Sequence, residues 1–182
     1  MNTLPLPLAA LLLSVGLGAC MTAPAPEAGG AAAVGGVVSA GCRQGECSWR
    51  RLVRVEDVEN RAEGRLRRMV ARAGQSLHPD GNVPRRPPSS IRWEAADRTD
   101  YAFCSVRRPA YAFPGDDGRL TVHFLDFHAL AGYQLASAGM YMRICHALDE
   151  VPEPGVLRTM GYVPGTRNEQ IEDAEVDALT RF

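Results

Sequence analysis

The chain has 182 residues, of which 46% are hydrophobic and 23% charged, enough apolar content for one buried core and too much for wholesale disorder. The formal net charge of -1 conceals a polarity: Gly41 to Ala110 holds 15 Arg against 9 acids, whereas Tyr111 to Phe182 holds 5 Arg against 11 acids. Two such halves either neutralise each other inside one fold or leave a basic face for an anionic partner.

Leu6 to Leu17 is an apolar stretch interrupted by Pro7. It is shorter than the about 20 residues that span a bilayer and suits the core of a signal peptide. It runs into Leu17-Gly18-Ala19-Cys20. This segment resembles the lipobox of bacterial lipoproteins, with Leu three positions before the cut, small residues next and then Cys. The resemblance covers residues 1–20 alone. It implies cleavage after Ala19, a diacylglycerol on the Cys20 thiol and a fatty acyl chain such as palmitate on the freed amino group. Each buried methylene adds about 0.8 kcal/mol, and two or more chains anchor stably where one does not. The leader departs from the family pattern in having no Lys or Arg. Met21 follows the cysteine where Asp would imply inner-membrane retention, so the resemblance points to the outer membrane, facing the periplasm.

Thr22 to Gly41 consists mainly of Ala, Gly and Pro with one charge, Glu27. A flexible coil of this length separates its ends by roughly 25 Å. The expected organisation is a signal peptide over 1–19, the lipidated cysteine and linker over 20–41, one globular domain over 42–165, and an acidic helix or tail over 166–182.

Beyond Cys20, the cysteines Cys42, Cys47, Cys104 and Cys145 form an even set in an oxidising compartment, which favours two disulfides. Of the three pairings, Cys42–Cys47 and Cys104–Cys145 are favoured, because the first encloses the short polar turn Arg43-Gln44-Gly45-Glu46. The spacing contains no CxxC knuckle of a zinc site or thiol oxidoreductase.

Ser48 to Val55 alternates as a strand. Glu56 to Ala73 reads as a helix: Val58, Ala62, Leu66, Met69 and Ala73 recur at helical spacing, with acids early and arginines late, as the helix dipole favours. Gln75 to Ser90 is a proline-rich loop. Ile91 to Ala95 and Tyr101 to Arg107 read as strands, and Pro114 to Gly118 as the turn of a hairpin joining Tyr111–Phe113 to Arg119–Phe127. Gly132 to Leu148 fits a second helix, with Cys145 placed to staple it to the strand carrying Cys104. The class is α+β, a small mostly antiparallel sheet with about two helices, stapled by disulfides.

His123-x2-Asp126-x-His128 is the one cluster of site-like residues, of the types that hold zinc or act as general bases. On a strand, alternation separates His123 from Asp126 and His128. His78 and His146 have no recognisable partner. No GxSxG, HExxH, P-loop or EF-hand pattern occurs, and no metal or cofactor is called for. On the expected helix, Arg61, Arg65, Arg68 and Arg72 line one face, where guanidinium forks suit phosphate or carboxylate. The residues therefore favour a non-catalytic envelope lipoprotein, held on a membrane by its lipid and binding an anionic component or a protein. Nucleic acid is disfavoured by compartment. The alternative is a small periplasmic hydrolase using Asp126 and His128, with His123.

Overall fold

The computed structural model describes residues 35–115 and 117–181. The leader, Cys20 and most of the expected linker lie outside the described residues.

The chain folds as an antiparallel meander. Six strands follow one another: β1 (Val37–Arg43), β2 (Glu46–Arg61), β3 (Gly64–Leu77), β4 (Arg92–Cys104), β5 (Ala110–Pro114) and β6 (Leu120–Phe124). A 3-10 turn at Gly132–Gln134 then leads into α1 (Leu135–His146), which is followed by the short α2 (Pro154–Thr159) and by β7 (Glu169–Ala174). Spatial order equals chain order, with β7 pairing on β6, and the sheet curls into a half-barrel. A mostly antiparallel sheet with two helices is thus the architecture.

Alternation along the strands gives the sheet two apolar faces. On one face Leu52, Met69, Ala71, Ala102 and Tyr111 pack against α1 through Tyr141, Met142 and Ile144. On the other, Leu66, Phe103, Ala110, Ala112, Val122 and Phe124 pack together and are closed by Leu179, from a second 3-10 turn at Val176–Leu179. Tyr111 lies on the first face and its neighbours Ala110 and Ala112 on the second, as period two requires. Helix α1 ends on Ala147 in the left-handed conformation (φ 57°), whose N–H donates to the Arg143 carbonyl at 3.1 Å. The buried Arg67 of β3 donates to the Ile144 carbonyl in the last turn of α1, fixing helix to sheet.

Both disulfides form, Cys42–Cys47 and Cys104–Cys145. The first joins directly opposed residues of the β1–β2 hairpin, whose two turn residues both have positive φ (Gln44 51°, Gly45 78°), as a tight hairpin turn demands. The second joins β4 to α1.

Four expectations fail, the first being that Ile91–Ala95 and Tyr101–Arg107 are separate strands: Arg92–Cys104 is the single strand β4. The helix over 56–73 does not form: these residues are the end of β2, a two-residue turn at Ala62-Glu63 and most of β3. Glu56 pairs across the strands with Arg68 and Asp57 with Arg67, so the acidic arm faces the basic arm. That arrangement satisfies the charges as well as a helix would, and it also buries Leu66 and Met69 on opposite faces. Val58 falls at a register shift and is half exposed, so it is not the core residue of a helical stripe. Where an acidic helix or tail is expected over 166–182, the chain forms β7 and the 3-10 turn, because Ile171 and Ala174 have an apolar surface to cover beside β6. The linker gives way to structure before residue 42: β1 begins at Val37, and Val38 is buried in the core that the sheet forms with α1.

Candidate functional site

The residues singled out from the sequence separate into structural roles. Asp126 lies in the turn after β6 and is buried. Its Oδ1 accepts the backbone N–H of His128 at 2.9 Å and its Oδ2 that of Gly165 at 2.8 Å. The carboxylate therefore holds two loops together. His128 directs Nε2–H at the Tyr162 carbonyl, 3.2 Å away, and does not engage the Asp126 carboxylate with its ring. His123 stands apart from both, on β6; the expected strand over Arg119–Phe127 ends at Phe124, so Asp126 and His128 lie in the loop beyond it and alternation does not relate them to His123. Among the described residues, no three His, Cys, Asp or Glu side chains are grouped to hold a metal ion.

The arginine stripe is likewise dispersed. Arg61 ends β2, whereas Arg65, Arg68 and Arg72 lie on β3. Each meets a carboxylate: Arg61 binds Glu59 at 2.7 Å, Arg65 lies 3.7 Å from Asp57, Arg68 pairs with Glu56, and Arg72 binds Asp97 at 2.8 Å. With no helix there is no common face, and the charges are already compensated.

The residues that do converge line a cleft between the sheet and the start of α1. It encloses about 200 Å³ and is bounded by Arg50, Tyr111, Phe113, His123, Tyr133 and Ser137. Ala40, Ser48 and Ala136 line both this cleft and a wider groove of about 690 Å³ between α1 and the Cys42–Cys47 hairpin. The cleft and the groove thus adjoin along this shared wall. Tyr133 and Leu135, both largely exposed, stand at the start of the helix near its mouth.

Two polar assemblies underlie the cleft. In the first, the Tyr111 hydroxyl donates to Asp100 Oδ2 at 2.5 Å, with both groups buried. Burial raises the Asp100 carboxyl above its ordinary range, against the Tyr111 hydrogen bond and the charges of Arg50 and Arg98, which favour the anion. Burial, together with the neighbouring carboxylate, pushes the Tyr111 hydroxyl well above the usual phenol range. In the second, His123 Nδ1 is 2.8 Å from Ser137 Oγ and its Nε2 is 3.0 Å from Gln170 Oε1. Burial lowers the proton affinity of His123, partly offset by Gln170. The imidazole sits edge-on to Phe113 and Tyr133, with ring centroids 5.3 and 5.4 Å away.

Nothing in the local sequence marks Ser137, Gln170, Asp100 and Tyr111 as site residues. Ser137 falls within the expected helix over Gly132 to Leu148 and Gln170 within the acidic segment over 166–182. Only the packing of α1 and β7 on either side of β6 brings them to His123, and no local spacing records that contact. No protein-family model, curated protein or solved structure matches this chain.

Proposed function

We propose that the chain is a lipoprotein of the bacterial cell envelope, exported by residues 1–19, acylated at Cys20, and presenting a disulfide-stapled binding domain to the periplasm from the outer membrane. The single observation that carries this reading is Leu17-Gly18-Ala19-Cys20 at the end of an apolar leader. Cysteine usage supports it: four of the five cysteines are paired in disulfides, as an oxidising compartment favours, and the fifth is Cys20.

Two surfaces are available for binding. One is the cleft and its adjoining groove. The other is the end of the sheet where β1 turns into β2 and β3 leads to β4. There Arg43, Arg85, Arg86 and Arg92 have no carboxylate within ion-pair distance among the described residues, unlike the Arg61, Arg65, Arg68 and Arg72 set. An anionic envelope component fits this end better than the face of β3.

The reading is tested by Cys20→Ser in cells. The variant is expected to leave the membrane fraction and to lose incorporation of a labelled fatty acid, while the unaltered chain retains both. Unchanged membrane association without label incorporation would remove the lipid anchor from the account.

A further inference from the structure

We propose that Ser137 and His123 form a nucleophile and general-base pair that opens on the cleft beside α1 and transfers the acyl group of a small carboxylic ester. This goes beyond the anchored binding domain and does not rest on it.

The proton positions follow from the chain of contacts. The Gln170 side-chain nitrogen donates to Glu172 Oε1 at 2.8 Å, and a carboxylate can only accept. The amide oxygen of Gln170 must then face His123, so Nε2 carries the hydrogen of the 3.0 Å contact. A neutral imidazole has one N–H, so Nδ1 presents its lone pair to Ser137 Oγ at 2.8 Å and accepts the serine hydroxyl proton. Burial holds the ring in this neutral form near pH 7. The arrangement is a nucleophile, a base within hydrogen-bond reach, and a third group orienting the base. It differs from the Asp126/His128 alternative in every residue but His123.

The surroundings define the substrate class. The cleft of about 200 Å³ is smaller than the pockets that take drug-sized ligands, so the acyl group is short. Phe113 and Tyr133 flank the base with apolar surface, and Arg50, which lines the same cleft and donates to the Trp49 carbonyl at 3.3 Å, is the cation nearest to hand for a developing oxyanion or a substrate carboxylate. The adjoining groove leaves room for the alcohol portion. In the first step the Ser137 Oγ–carbon bond forms as the hydroxyl proton moves to His123 Nδ1. The tetrahedral adduct then collapses: the ester carbon–oxygen bond breaks, and the departing alkoxide takes the proton from Nδ1. In the second step, water attacks the acyl-serine, gives its proton to the same nitrogen, and releases the carboxylic acid as Ser137 recovers its hydrogen. The sum is ester plus water to acid plus alcohol.

The test treats the purified protein, as the cell makes it, with a small alkyl fluorophosphonate, which phosphonylates an activated serine with loss of fluoride. The modified peptide is then mapped by mass spectrometry. Modification at Ser137 is expected. It should disappear in Ser137→Ala and slow by about 100-fold or more in His123→Gln, the scale of a lost general base. Gln170 is exposed, so Gln170→Ala tests the orienting role without disturbing the core, and intermediate slowing is expected. A folded wild-type protein that is not modified at Ser137 would overturn the proposal. So would labelling of Ser137 at an unchanged rate in Gln170→Ala and in a folded His123→Gln variant.

Discussion

At the residue scale, Gly64 shows how close the backbones approach where β3 begins. A Cβ built on it would lie 2.6 Å from the Cys104 carbonyl oxygen and 2.9 Å from the Ser105 Cβ. The obstacle is backbone, so it cannot rotate aside. Gly64→Ala is therefore expected to destabilise by about 1–3 kcal/mol through overpacking, read as a lower urea midpoint with an unchanged slope. The buried Asp100–Tyr111 pair gives a second case. Tyr111→Phe removes the donor at 2.5 Å and leaves a buried carboxylate short of a partner, a loss of about 1–3 kcal/mol. The pH dependence separates the charge from the packing. The folded Asp100 carboxyl is raised above its ordinary value, so its contribution is complete below about 3.8 and is lost as pH rises through the folded value. Asp100→Asn keeps an acceptor for Tyr111 but abolishes that titration. Urea midpoints of wild type and variant should accordingly diverge between pH 4 and pH 7, with wild type losing ground toward pH 7. Parallel profiles would mean that Asp100 does not titrate differently on folding.

At the element scale, the two staples have unequal reach. Cys42–Cys47 closes a turn between strands that already pair, whereas Cys104–Cys145 crosses 41 positions and ties β4 to α1. Loop-closure entropy assigns about 2 kcal/mol to the first and about 4 kcal/mol to the second. Replacing both cysteines of each pair by Ser should preserve this order in denaturant midpoints, and the reverse order would show that hairpin strain or residual structure dominates. The hairpin turn, the β5–β6 connection and α1 were all legible in the sequence, because their signals are local: a Gly at a positive-φ position, a Pro-Gly turn, a helical apolar stripe. The stretch 56–73 was not. Acids followed by arginines complement a helix dipole, and they equally complement each other across a hairpin turn, as Glu56 with Arg68 and Asp57 with Arg67 do. Helical spacing of Val58, Leu66 and Met69 arose because β2 contains register shifts and both faces of β3 are covered. Once this segment is extended, the arginine face that a helix would have displayed ceases to exist.

At the scale of the whole molecule, the layout places titratable groups at the seam between α1 and the rest of the chain. Of the cleft residues, only His123 is site-like in the sequence; its partners come from positions 137 and 170, joined by long-range packing that no local pattern reveals. His146 occupies a second seam, 2.6 Å from the Tyr162 hydroxyl, which in turn donates to the Tyr141 hydroxyl at 3.1 Å. Burial lowers the proton affinity of both imidazoles, and the charge of Arg65 adds to the effect at His146. The unfolded chain, whose histidines titrate near 6.5, therefore binds more protons than the native state below that pH. The stability contributed by the two neutral rings is complete above about 6.5 and declines as pH falls through their lower folded values. Each contributes a slope of at most about 1.4 kcal/mol per pH unit. The melting temperature is thus expected to fall between pH 7 and pH 5, and the fall should be shallower in His123→Gln combined with His146→Gln, whose side chains carry no titrating proton. Asp100 changes in the opposite sense over its own window, so the decisive quantity is the difference in slope between wild type and the double variant, not the absolute melting temperature. Equal slopes would mean that the two rings become protonated inside the folded protein as readily as in the unfolded chain.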